Sequence, residues 1–443
     1  MAAAVPVGAP NGRRPPLARP IIAMEAPVTA DGTNDDRHAR RHARGGLPAG
    51  VADLDEGQRR GAGAAAVVLG TAAALAGVAA LVNWQARAAE RRHPPIGDFI
   101  TVNGVRLHYV DVGEGPAVVL LHGNSSMLQD FVLSILEPLS RNHRVIAFDR
   151  PGFGYSDRPK DVVWTPEAQA ALFLDALVAL DVERPVILGH SWAAAVALCF
   201  ALDYPDEVTG VVVESGYYYP HRRPDAAVSA INAKPVIGSI SRNTISPVMG
   251  AIFGKAMVKG MFSPNPIPPT YADFPAKLAL RPGHLRAGAE EAATMRDWAL
   301  RTWRDYPVID VPVMILAGTK DRLAGYHAHA VRLHHDILSS RLRLWPGTGH
   351  MLHHVYPGGV VEAIEEVWEM AGQHEPLDEV PTGEPSPEAT PLGETALGEA
   401  PLGEAVTAAP DTSVPVAPGD AAAEPAAKPQ TGERAGGRPP GSA

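Results

Sequence analysis

Six short apolar runs fix what this chain can fold into: AVVLLHG (117–123), RVIAFD (144–149), PVILGH (185–190), VTGVVVES (208–215), VPVMILAG (311–318) and RLRLWPG (341–347). Most are continuous rather than alternating, as strands buried on both faces must be, and they are short for buried helices. Helical patterns separate them, as at 165–180 and 192–202. Ahead of them, FITVNGVRLHYVDVG (99–113) holds two β-like runs around Asn103-Gly104, a pair suited to the two positive-φ positions of a hairpin turn. The expected fold class is therefore α/β: a mostly parallel sheet of the eight-stranded type with helices on both faces. One connection is out of scale, the 95 residues of 216–310. A helical cap inserted over the carboxyl ends of the strands accounts for it, and those ends are where open α/β sheets bind ligands.

The flanks read differently. Residues 1–60 are rich in Pro, Gly, Ala, Arg and Asp without apolar periodicity, and disorder is expected. Residues 62–82 carry no charge; as a helix they would span ~30 Å, the thickness of a bilayer's hydrocarbon. Their four Val and three Leu give an insertion free energy of roughly −2 to −4 kcal/mol. Gly63, Gly70 and Gly77 repeat every seven residues, which on a membrane helix allows close packing. The expectation is a single-pass transmembrane helix in a bacterial inner membrane. Arg37, Arg40, Arg41, Arg44, Arg59 and Arg60 before the run, against Arg87, Arg91 and Arg92 after it, tilt only slightly toward an inside N-terminus, leaving the side of the 94–372 domain open. Residues 374–443 form a Pro/Ala/Gly-rich tail with twelve acidic and three basic residues, and it too is expected to be disordered. That tail accounts for most of the net charge of −10. No basic nucleic-acid surface is implied. The single cysteine, Cys199, excludes an intramolecular disulfide and a cysteine metal cluster.

The chemistry is signalled at the end of the third run, where VILGHSWAAAVAL passes from strand to helix. A Ser on so tight a turn has its hydroxyl aimed into the crevice, and small neighbours let strand and helix backbones approach. The helix N-terminus lends N–H groups to a developing oxyanion. Such a Ser needs a base, and the base an orienting carboxylate. Asp321 follows the fifth run in Gly-Thr-Lys-Asp, and His350 follows the sixth in Gly-Thr-Gly-His.

The order Ser, Asp, His at successive strand ends, with LLHGN (120–124) before it, resembles the α/β-hydrolase superfamily over nearly all of 94–372. The resemblance implies that Ser191 is the nucleophile, His350 the general acid and base, and Asp321 the orienting acid. The backbone N–H groups of Trp192 and Asn124 would form the oxyanion hole, while Phe153, Tyr217 and Met351 would line the substrate pocket. Two positions depart from the pattern: Ala193 stands where Gly is usual, and Asn124 where many relatives carry an apolar residue. The Asn124 side chain could bond substrate or hold its loop. Epoxide hydrolases and haloalkane dehalogenases place an Asp where Ser191 stands, so acyl transfer to water is favoured. It would act on a small-molecule ester, thioester or amide, or a carbon–carbon bond beside a carbonyl.

Rivals exist for each role. Glu214 ends the fourth run and could replace Asp321; His353 and His354 lie near His350. His122 and His190 read as structural. His327, His329, His334 and His335 lack the spacing of a zinc helix and read as solvated, so neither a metal nor another cofactor is expected. Residues 226–270 contain no acidic residue while Lys234, Arg242, Lys255 and Lys259 are basic. With the anchor, this suggests a cap facing anionic headgroups and a lipid-like acyl substrate; the plainer alternative is a cap closed on its own core. Two other functions fit the same fold: an inert, membrane-tethered binding module, and a cofactor-free perhydrolase or haloperoxidase using the same triad.

Overall fold

The computed structural model describes residues 51–221 and 230–374. Eight strands form one sheet in the order β1-β2-β4-β3-β5-β6-β7-β8. They are β1 (Asp98–Val102), β2 (Val105–Val112), β3 (Ala117–Leu121), β4 (Arg144–Phe148), β5 (Val186–His190), β6 (Gly210–Glu214), β7 (Val313–Gly318) and β8 (Ser340–Trp345). β1 and β2 pair antiparallel through the Asn103-Gly104 turn, whose residues have φ of 50° and 76°. β2 meets β4 antiparallel, and every later pairing is parallel.

The continuous apolar runs follow from burial on both faces. Along β3, Val119 and Leu121 join one core with Phe173, Leu177 and the small residues of helix Ala194–Asp203. Val118 and Leu120 join the other, with Phe131, Ile364 and Val367. β3 is also the switch point, with β4 on one side and β5 on the other. The loops leaving the carboxyl ends of β3 and β5 therefore face each other across an open crevice.

Between β6 and β7 the chain forms the expected helical cap, with helices Val236–Asn243, Ile245–Phe262 and Pro282–Thr302. At the N-terminal side a helix runs Val51–Arg92, and its stretch Ala66–Arg92 is long and apolar enough to cross a membrane. Side chains from Val67 to Leu81 are nearly all exposed, whereas Val82, Ala88 and Ala89 are buried. Ala89 packs with Met127 and Leu278. Arg281 Nη1 donates to Glu90 Oε1 at 2.9 Å, and the Tyr155 hydroxyl donates to the carbonyl of His93. The last turns of this helix thus belong to the domain's own packing. The disorder expected for residues 1–50 and 375–443 lies outside the described residues.

One expectation is corrected. His329 is buried, not solvated: its Nδ1 accepts from the backbone N–H of Tyr218 at 3.1 Å, and burial lowers its pKa to about 4. Tyr218 and Tyr219 belong to the same buried cluster.

Candidate active site

Three side chains from three strand ends meet above the sheet. Ser191 follows β5 at φ 55°, a strained value for a residue with a side chain. The turn is tight enough that a Cβ on Gly189 would run into the carbonyl of Ala193. Ser191 Oγ donates to His350 Nε2 at 3.0 Å, and His350 Nδ1 donates to Asp321 Oδ2 at 2.7 Å. The other Asp321 oxygen accepts from the backbone N–H groups of Leu323 (2.8 Å) and Ala324 (3.0 Å). Burial pushes the Asp321 pKa up, but His350 and these donors outweigh it and hold the carboxyl below its usual range. Ser191 is 9% exposed, so the constellation is nearly dry.

The cap fixes the loops around this chain of bonds. The His350 backbone N–H donates to Met261 O at 3.0 Å, and that of Gly349 to Asn265 Oδ1 at 3.1 Å. On the other side, Asn124 Nδ2 donates to Gly288 O (2.9 Å) and Glu291 Oε2 (3.3 Å), while the Trp192 indole N–H donates to Glu291 O (3.1 Å). The Asn124 side chain therefore holds its loop to the cap. Phe153, Tyr217 and Met351 are all buried, Phe153 standing edge-on to His122 and His284. Glu214 is not brought to His350: its Oε1 accepts from His353 Nδ1 at 2.7 Å.

Residues 116–357 match the family model described as alpha/beta hydrolase fold. The chain belongs to the α/β-hydrolase family. An uncharacterized protein of Mycobacterium tuberculosis is 30% identical over 289 residues, covering 61% of this chain and 81% of its own. A 2-hydroxy-6-oxo-2,4-heptadienoate hydrolase of Pseudomonas putida is 24% identical over 61% of this chain and 95% of its own. The solved enol-lactonase from Burkholderia xenovorans LB400 shares the fold with a TM-score of 0.52 at 21% identity, over 61% of this chain and all of that one.

Sequence reasoning assembles neither of two buried polar groups in this α/β-hydrolase, although it singles out Glu214 and His353 individually. The first is Arg150–Glu291, behind the Trp192 and Asn124 loops. The guanidinium donates to both carboxylate oxygens (Nη1 to Oε1 at 2.5 Å, Nη2 to Oε2 at 3.0 Å), and both side chains are fully buried. Arg150 also donates through Nε to His122 O at 2.6 Å and stacks on Trp192 at 4.7 Å. Glu291→Ala would strand a buried cation, and breaking such a pair costs about 3–5 kcal/mol. Denaturant unfolding should register that loss, whereas Arg150→Met with Glu291→Leu together should recover much of it; an unchanged midpoint in the single variant would refute the pairing's importance.

The second is Glu214–His353–Asp130. His353 Nε2 lies 3.6 Å from Asp130 Oδ1, and the two carboxylates raise the imidazole's pKa to about 10 against the opposing effect of burial. Asp130, His190 and His353 offer ligand atoms within 4.8 Å of one another. His122 and His190 are buried with pKa values near 3, set mainly by desolvation, which keeps them neutral beside the site.

Proposed function

We propose that this protein is a serine hydrolase cleaving an ester or related acyl bond, anchored in a membrane by its N-terminal helix and acting on a lipid-like small molecule. The hydrogen-bonded chain Ser191–His350–Asp321 carries the reading. Ser191 Oγ attacks the acyl carbon as its proton passes to His350 Nε2, and the carbonyl electrons move onto oxygen. The backbone N–H groups of Trp192 and Asn124 stabilise that oxyanion. Collapse expels the leaving group with the proton from Nε2 and leaves an acyl-serine. Water, deprotonated by His350, then attacks the acyl carbon; its proton returns through His350 to Oγ, releasing the acid. Asp321 holds Nδ1–H throughout and stabilises the imidazolium.

The names of the relatives, an enol-lactonase and a 2-hydroxy-6-oxo-2,4-heptadienoate hydrolase, support hydrolysis of a small molecule. A serine at position 191 supports acyl transfer over the ester-to-aspartate route. The exposed apolar run from Val67 to Leu81 supports the anchor. A panel of p-nitrophenyl esters of rising acyl length should give turnover that increases with chain length, and the full chain should remain with membranes through a carbonate wash. Absence of turnover on every ester together with no fluorophosphonate labelling of Ser191 would reject the acyl reading; release by carbonate would reject the anchor.

A further inference from the structure

The cap's second helix carries its large apolar side chains outward. Along Ile245–Phe262, Ile245, Val248, Met249, Ile252, Phe253 and Met257 are exposed, Ile252 and Met257 at 63% and 65%. These positions recur at intervals of three and four and form one stripe. Pro247 and Phe262, on the opposite side, are buried. The preceding helix also exposes apolar side chains, Val236 at 72% and Ile237 at 67%. Exposed apolar side chains gathered on one helix face in this way point to an interaction site.

Its surroundings say what covers it. The N-terminal helix first touches the domain at Val82, which is buried, and is packed on it again at Ala88 and Ala89, with Trp84 between them still 59% exposed. Next to Val82, Asn83 Nδ2 donates to Asn243 Oδ1 at 3.3 Å, at the junction of the two apolar cap helices. On the anchor reading, the stripe therefore starts beside the segment where the helix meets the domain. Residues 230–270 contain no Asp or Glu, and Lys255 and Lys259 border the stripe, both exposed. Ile245 to Met257 spans only ~18 Å as a helix, too short to cross a bilayer and suited to lying in its surface.

We infer that the stripe Ile245–Met257 inserts into the headgroup–acyl boundary of the same bilayer that holds the anchor, with Lys255 and Lys259 on anionic headgroups. The inference rests on the anchor reading. Because Met261 O accepts from the His350 N–H, the helix that would lie on the lipid also holds the loop of the proposed general base.

The test uses the full chain carrying Cys199→Ala, reconstituted in vesicles of phosphatidylcholine and phosphatidylglycerol. Ile252→Cys, and Met257→Cys as a second position, are labelled with an environment-sensitive nitrobenzoxadiazole; Leu338→Cys, 92% exposed, is the reference. Shallow doxyl-labelled lipid should remove about half the emission or more at 252 and 257 and almost none at 338, as for an interfacial helix. Equal quenching at all three positions overturns the inference. So does shielding at 252 that disappears as protein is diluted in lipid, which would make a second copy the occupant. Carbonate retention separates the readings: a chain retained but unquenched at 252 keeps its anchor and loses the inserted cap, whereas a chain washed off loses both.

Discussion

Ser191→Ala is expected to abolish covalent labelling by a fluorophosphonate and to lower ester turnover by about 10⁴-fold or more. The probe needs an oxygen nucleophile with a base in reach, and Ser191 Oγ, 3.0 Å from His350 Nε2, is the proposed group. The truncation removes only a hydroxyl and leaves the His350–Asp321 bond standing, so folding should be nearly unaffected. Residual turnover above the rate in water would come from the oxyanion donors and from binding. Undiminished labelling of the alanine variant would show that another residue is the nucleophile.

Asp321→Asn should be nearly as severe, lowering turnover by about 10⁴-fold, because an amide can present its NH₂ to Nδ1 and favour the wrong tautomer. Asp321 Oδ2 lies 2.7 Å from that nitrogen. Glu214→Gln, at the neighbouring strand end, should change turnover far less and act on stability, because its partner is His353. Steady-state rates of the two variants decide the matter: a crippled Glu214→Gln beside a mild Asp321→Asn would move the orienting acid to β6.

The strands were legible because their signal is local. Two-sided burial demands a continuous apolar run, and the Asn103-Gly104 turn demands two positive φ values, so each is encoded within a few residues. The nucleophile turn is local for the same reason: Gly189 must be small because the backbone four residues on lies against it. Asp321 and Glu214 are both carboxylates at strand ends, and no local rule tells them apart. What separates them is the path of the β8 loop, which delivers His350 to one and, a turn later, His353 to the other.

Sequence by itself determined the α/β class, the hairpin, the cap's place between β6 and β7, and Ser191, Asp321 and His350 as candidates. All of these rest on periodicity, turn chemistry or position at the end of a run. Only the tertiary structure decided what the cap does. Arg150 and Glu291 are 141 residues apart, and nothing in either neighbourhood announces that the other will neutralise it in a dry interior. His329 looked solvated until the chain wrapped around it. The stripe from Ile245 to Met257 has a helical period that would serve a core equally well. Period fixes that a face is apolar; which way the face points depends on what packs against it, and among the described residues the stripe stays exposed.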